Sequence, residues 1–230
     1  MNIDQEGMMS KLTVTRKVRT RIPTDYGDFQ LCYYSNTQDK KEHLALFMGE
    51  LSNTEPVLAR IHSECFTGDV LGSRRCDCGE QLDKSLSVIS QAGSGVLVYL
   101  RQEGRGIGLL EKLRAYNLQD GGLDTVDANL ELGHEADARD YSLAALILSD
   151  LGVKSVQLIT NNPGKIEALE NSGIEVTERV SLDIAANPDN VSYLRTKAQR
   201  MNHILKINTE TVTKYLACQI DAGADVVMIF

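Results

Sequence analysis

The spacing of apolar positions changes along the chain, and those changes outline a fold. From Val18 to Ser63 the repeats are short: VRTRIP, a turn at Tyr26-Gly27-Asp28, FQLCYY, a polar break SNTQDKKE, then HLALFMGEL and PVLARIHS. Local alternation with β-branched and aromatic residues predicts strands, and their close succession predicts a largely antiparallel sheet. The period then lengthens: Leu82, Leu86 and Ile89 stand at helical spacing within 79–91, Gly93 and Gly95 punctuate, and VLVYL at 96–100 reads as a strand. Helices are expected at 107–119 and 140–151, and a strand at KSVQLIT, 154–160. A further helix is capped by Asn162, carries Pro163 at its first position and stops at Gly173. IEVTERV at 174–180 reads as a strand and YLRTKAQRMNHILK at 193–206 as a basic amphipathic helix. The expected class is α/β: a single domain with a mixed sheet, its N-terminal part antiparallel and its C-terminal part flanked by helices. Residues 1–17 are polar without pattern and read as a flexible leader, and 207–230, ending on the apolar run DVVMIF, as a tail of unknown role.

Composition narrows the class. With 42% hydrophobic and 24% charged residues and only four prolines among 18 glycines, the chain has the material for a core and none of the signatures of disorder or collagen. At 230 residues it fits one compact domain, or one domain with an appendage. No apolar run approaches the roughly 20 residues of a membrane span, and the N-terminus lacks the apolar stretch of a signal peptide, so a cytoplasmic location without membrane contact is expected. Twenty-four Lys plus Arg against 32 Asp plus Glu give net charge −8, which disfavours nucleic acid as a partner. A bound polyanion must therefore meet a local cluster of positive charge. The five cysteines are odd in number and unevenly spread, which points to thiols or metal ligands rather than a disulfide framework.

Four clusters carry candidate chemistry. Cys65, Cys76 and Cys78 fall within fourteen residues; three thiolates favour zinc, with one coordination position open for hydrolysis. A structural zinc completed by a distant residue, or three buried core thiols, remain alternatives. R101-Q-E-G-R-G-I-G follows a strand and opens a helix, so its glycines let amides approach a ligand while Arg101 and Arg105 reach phosphate oxygens. It matches neither the dinucleotide nor the P-loop fingerprint. T160-N-N-P-G-K165 again joins a strand to a helix N-terminus, with Lys165 supplying charge. Tyr116, Asp137 and Arg139 could carry protons or steady negative charge, although alone each reads equally as core or solvated surface.

Together these segments resemble one family. RIHSECFTGDVLGSRRCDCGEQL, YLRQEGRGIGLLEKLRAYNLQD, DTVDANLELG with DARDY, LITNNPGKIEAL and YLRTKAQRMNHIL resemble GTP cyclohydrolase II of riboflavin biosynthesis, in order, across about 18–206. The resemblance implies a catalytic domain over 18–206 in a stand-alone form, hydrolysing GTP to formate, pyrophosphate and 2,5-diamino-6-(5-phospho-ribosylamino)pyrimidin-4(3H)-one. It implies one Zn²⁺ per chain on Cys65, Cys76 and Cys78, Mg²⁺ with the triphosphate, and a homodimer. Arg60, Ile61, His62, Ser63, Glu64, Gln81, Glu103, Gly104, Arg105, Thr125, Thr160 and Lys165 would surround GTP, with Glu103 or Gln81 reading the guanine edge. Asp137 would accept a proton, Tyr116 belong to the catalytic site, and Arg139 act on the α-phosphorus as nucleophile or as clamp. Competing readings are a zinc-stabilised GTP-binding module without catalysis and a relative that opens the ring but keeps the formyl group.

Overall fold

The computed structural model describes residues 12–123, 125–134, 139–182 and 184. Among them seven strands form one sheet: β1 (Val14–Thr24), β2 (Gly27–Asn36), β3 (His43–Met48), β4 (Val57–Ser63), β5 (Gly95–Leu100), β6 (Ser155–Ile159) and β7 (Glu175–Val180). The helices are α1 (Phe66–Asp69), α2 (Cys78–Ala92), α3 (Leu109–Asp120), α4 (Thr125–Glu131), α5 (Ser142–Asp150) and α6 (Pro163–Asn171), with a 3-10 turn at Glu103–Gly106. The sheet order is β1-β2-β3-β5-β4-β6-β7. Strands β1, β2, β3 and β5 pair antiparallel, whereas β4 pairs parallel with β5 and β6, and β6 with β7.

The α/β class and the mixed sheet are as the sequence predicts, with two differences. PVLARIHS does not extend the antiparallel run: β4 leaves its neighbours in sequence and inserts between β5 and β6. Its burial explains this, since five of its seven residues are buried, four of them consecutive from Ala59 to His62, as a strand covered on both faces requires. Strand β1 also begins at Val14, so residues 14–17 belong to the sheet rather than to a leader. The expected helix at 193–206, the tail 207–230 and residues 1–11 lie outside the described residues.

The period-two geometry of the strands sorts the two faces. A row Cys32, Ala45, Val98 and Ile61 runs across four strands and packs, with Val156 and Leu158, against Leu143, Ile147 and Leu148 of α5 and Leu169 of α6. On the opposite face Leu97 meets Ile89 of α2, together with Phe29, Ile159 and Leu182. Each fully buried Leu or Ile contributes about 1.5–3 kcal/mol relative to exposure, so these layers hold the parallel strands in register. The edge strand β1 is mostly exposed, and its run of basic side chains (TRKVRTR) with a register irregularity between Arg16 and Val18 discourages pairing with another edge. No helix of the described residues is long and apolar enough to cross a membrane.

Candidate active site

Chain direction explains where the site lies. From β4 the chain crosses to β5 on one side, and from β6 it crosses to β7 on the other. Loops leaving the carboxyl ends of β4 and β6 therefore diverge and leave a crevice, the usual ligand position in open α/β sheets. The segments after β4 (Glu64 to Cys78), after β5 (Arg101 to Gly108) and after β6 (Thr160 to Lys165) all start at that edge.

The three cysteines converge there. Their sulfurs all lie within 4.8 Å of one another, Cys65 and Cys76 at 3.6 Å. Cys65 precedes α1 and Cys78 opens α2, so two helix starts bring the thiols together across the intervening loop. Gly68 makes the approach possible: a Cβ there would stand 3.1 Å from the Sγ of both Cys65 and Cys76 and from the Cβ of Cys78. Hydrogen bonding from Cys76 and Cys78, reinforced by Lys112, drives the Cys65 thiol far below its ordinary range. The same contact with Cys65 pushes Cys76 up to about 11 and Cys78 well above its usual value. One thiolate is thus tolerated but three repel, which is the electrostatic situation that a divalent cation resolves. A soft three-sulfur donor set fits zinc, and three protein ligands match the count of catalytic zinc sites.

The surrounding side chains hold this centre from several sides. Asp69 accepts the backbone N–H of Cys65 at 2.9 Å and the hydroxyl of Tyr99 at 2.8 Å, and lies 3.0 Å from His62 Nε2. Both Asp69 oxygens are acceptors, so Nε2 is the protonated nitrogen of His62. Burial lowers the His62 pKa against the opposing pull of Asp69, leaving the ring neutral. Glu103 accepts from the backbone N–H of Phe66 at 2.6 Å and of Gly104 at 2.8 Å, and from Lys112 at 2.8 Å. Lys112 also donates to Cys65 Sγ at 3.0 Å. Burial works against its charge, but the bonds to Glu103 and Cys65 outweigh it and raise its pKa. Thr67 Oγ1 lies 3.7 Å from Cys65 Sγ and 3.3 Å from the hydroxyl of Tyr116. The Tyr116 ring carries the Arg75 guanidinium at 4.9 Å, and burial raises its pKa, so the phenol stays protonated.

A second group gathers around β4 and β6. Arg60 lies in the row between Leu97 and Ile159, buried among apolar side chains. Its guanidinium donates to Ile159 O at 3.0 Å and to Gln81 Oε1 at 2.7 Å, and burial lowers its pKa. Lys165, also buried, donates to Ile61 O at 2.8 Å, and its Nζ lies 5.4 Å over the Tyr141 ring. Arg139 lies over the same ring at 5.8 Å. Thr160 Oγ1 accepts the backbone N–H of Asn162, whose own side chain caps α6 at Gly164 N.

The structure therefore brings Cys65, Cys76 and Cys78 together with Glu103, Gly104 and Tyr116, and Arg60 and Ile61 together with Gln81, Lys165 and Arg139. The Ile61 side chain belongs to the core, so only its carbonyl is used here. His62 is turned to Asp69, and Ser63 Oγ is buried without a hydrogen-bond partner. Glu64 is spent on Arg101, at 2.9 Å, which takes that arginine away from a simple phosphate role. Gly104 and Arg105 both adopt left-handed backbone, φ 62° and 61°. Thr125 is the first residue of α4, and Asp137 lies outside the described residues. Of the two candidates for the guanine edge, Gln81 is engaged by Arg60 and Asp77, whereas Glu103 uses three of roughly four acceptor positions and keeps about one. Sequence reasoning missed Asp69, Lys112, Thr67 and Tyr141. All four lie inside the quoted motifs, but nothing in their spacing marks them apart from core or solvated surface.

The family described as GTP cyclohydrolase II matches residues 15–181. Riboflavin biosynthesis protein RibBA of Bacillus mycoides (strain KBAB4) is 57% identical over 194 residues, covering 84% of this chain and 49% of that protein. The RibBA of Bacillus cereus (strain B4264) is 56% identical over the same span. The chain thus spans about half the length of these curated relatives. The crystal structure of RibBX from A. baumannii, a two domain 3,4-dihydroxy-2-butanone 4-phosphate synthase, gives TM-score 0.42 at 24% identity, covering 74% of this chain and 41% of that one. The family match extends over far more than half of the sequence, and on that ground the chain belongs to the GTP cyclohydrolase II family.

Proposed function

We propose that this chain converts GTP and water into formate, pyrophosphate and 2,5-diamino-6-(5-phospho-ribosylamino)pyrimidin-4(3H)-one. The observation that carries the reading is the convergence of three sulfurs within 4.8 Å, beside Thr67, Tyr116 and the Glu103 carboxylate. Cys65, Cys76 and Cys78 would hold one Zn²⁺, which when bound supplies a water of lowered pKa and a Lewis acid for a carbonyl. The chain's own residues then define two halves of the reaction.

At the purine, Glu103 is a fixed, buried acceptor because three donors already hold its oxygens in place, and its remaining acceptor position takes one N–H of the guanine N1–H and N2–H₂ edge. Adenine offers no matching donors, so its binding would leave that acceptor unpaired, a mismatch that can reach several powers of ten in discrimination. Tyr116, protonated at neutral pH, donates a hydrogen bond to the opening ring or to the attacking water. Asp137 takes the proton-acceptor role on resemblance alone.

At the triphosphate, carried as its Mg²⁺ complex, the proposed cations are Arg139 and Lys165, each of which lies over the Tyr141 ring. An aromatic face stabilises a cation, so it favours the protonated guanidinium and hence an Arg139 that clamps the α-phosphate while water attacks. The wider reading is a cytoplasmic homodimer with a nucleotide substrate and neither nucleic acid nor membrane as partner. Incubation of zinc-loaded protein with GTP, following formate, pyrophosphate and the pyrimidine absorbance, tests it. Stoichiometric formate and pyrophosphate support the reading, absorbance change without formate means the formyl group is retained, and no product rejects catalysis. Rapid quench that traps a phosphoramidate on Arg139 would overturn the clamp.

A further inference from the structure

Lys112 stands on α3 with its side chain only 12% exposed and its ammonium between two groups of different purpose. Nζ is 3.0 Å from Cys65 Sγ and 2.8 Å from Glu103 Oε1. The other Glu103 oxygen receives the backbone N–H of Phe66 at 2.6 Å, and Phe66 follows Cys65 in the chain. The contacts therefore close a ring: from the Cys65 sulfur to Lys112, to Glu103, to the Phe66 amide and back to Cys65 through the backbone. We propose that Lys112 is a positioning residue that ties the sulfur of Cys65 to the Glu103 carboxylate, so that metal ligand and guanine acceptor are held as one unit. This rests on the reading given under the proposed function.

Charge balance explains why a lysine stands here. Three thiolates around a divalent ion carry an excess of one negative charge, and Glu103 brings another into the same buried region. One ammonium between them halves that excess of two negative charges and gives both the sulfur and the carboxylate a donor, where isolation of the carboxylate in the interior would be costly. Its N–H donated to sulfur also withdraws electron density from that ligand, which leaves a bound metal the stronger Lewis acid. A solvated lysine would need neither partner, and this one has both while nearly enclosed.

The test compares wild type, Lys112→Met, Lys112→Arg and Glu103→Gln for zinc affinity by competition with a chromophoric chelator, and for kcat and KM with GTP at saturating zinc. Lys112→Met should lose about 10–100-fold in zinc affinity, the usual cost of removing a partner of a metal ligand, and kcat should stay depressed after zinc is restored. Lys112→Arg should recover much of both. Glu103→Gln touches no sulfur, yet it should weaken zinc several-fold because it loosens Lys112. If Glu103→Gln leaves zinc affinity unchanged, or Lys112→Met matches wild type in both readouts, the tether is overturned. If Lys112→Met fails to fold, Lys112→Arg and Glu103→Gln decide. Wild type that binds zinc but releases no formate would reject the catalytic reading alone, since the zinc affinities still judge the tether.

Discussion

The Asp69 carboxylate receives the backbone N–H of Cys65 at 2.9 Å, and the same group holds Tyr99 and His62. One buried anion thus fixes the first thiol to the centre of the sheet, because Tyr99 belongs to β5 and His62 to β4. Asp69→Asn keeps the size but replaces one acceptor oxygen by a donor that faces other donors. Unsatisfied buried groups cost about 1–3 kcal/mol, so denaturant unfolding should register a loss of that order, and chelator competition a zinc affinity lower by about tenfold or more.

Gly68→Ala tests the crowding of the sulfurs from inside. The new Cβ would stand 3.1 Å from two of them, so the thiols must spread or the helix start must move. Zinc affinity should fall, while the far-UV circular dichroism, which reports the remote helices, stays near wild type.

Tyr116→Phe removes the hydroxyl that meets Thr67 and leaves the ring packed under Arg75. Formate release should slow by about tenfold or more, the scale of a lost charge-assisted hydrogen bond, with pyrophosphate release less affected. Equal loss in both halves would contradict a role confined to the base.

His43 predicts how stability responds to acid. Its Nδ1 accepts the backbone N–H of Arg101 at 3.2 Å, which requires that nitrogen to be unprotonated. Burial lowers its pKa, with Asp39 opposing. A depressed folded value means the stabilisation is fully present above the unfolded imidazole pKa of about 6.5 and is lost as pH falls through the folded value. Urea unfolding at decreasing pH should show a slope of up to about 1.4 kcal/mol per pH unit from this group. His43→Asn, whose amide oxygen can take the Arg101 N–H, should flatten that part of the profile.

Much of the fold was legible because period and punctuation agree. Asn162 and Pro163 mark the start of α6, and Leu82, Leu86 and Ile89 mark the inner face of α2. The misplaced β4 shows the limit: PVLARIHS carries a strand pattern, but its neighbours are decided by α2, α5 and α6 packing on both faces, which no local period encodes. Helix α4 was not expected at all, its DTVDANLE stretch having too few apolar positions to set a face. At the site, the thiols were visible through spacing and the residues proposed to surround GTP through resemblance. Asp69 and Lys112 were invisible because their partners are a backbone amide and a sulfur brought close only by folding.

The central claim is that Cys65, Cys76 and Cys78 together hold one zinc on which opening of the base depends. Zinc per chain, measured by elemental analysis alongside formate release in wild type and Cys76→Ser, tests it most directly. The account predicts about one zinc per chain in wild type, with zinc and formate lost together in the variant. A zinc-free Cys76→Ser protein that still releases formate from GTP would contradict it.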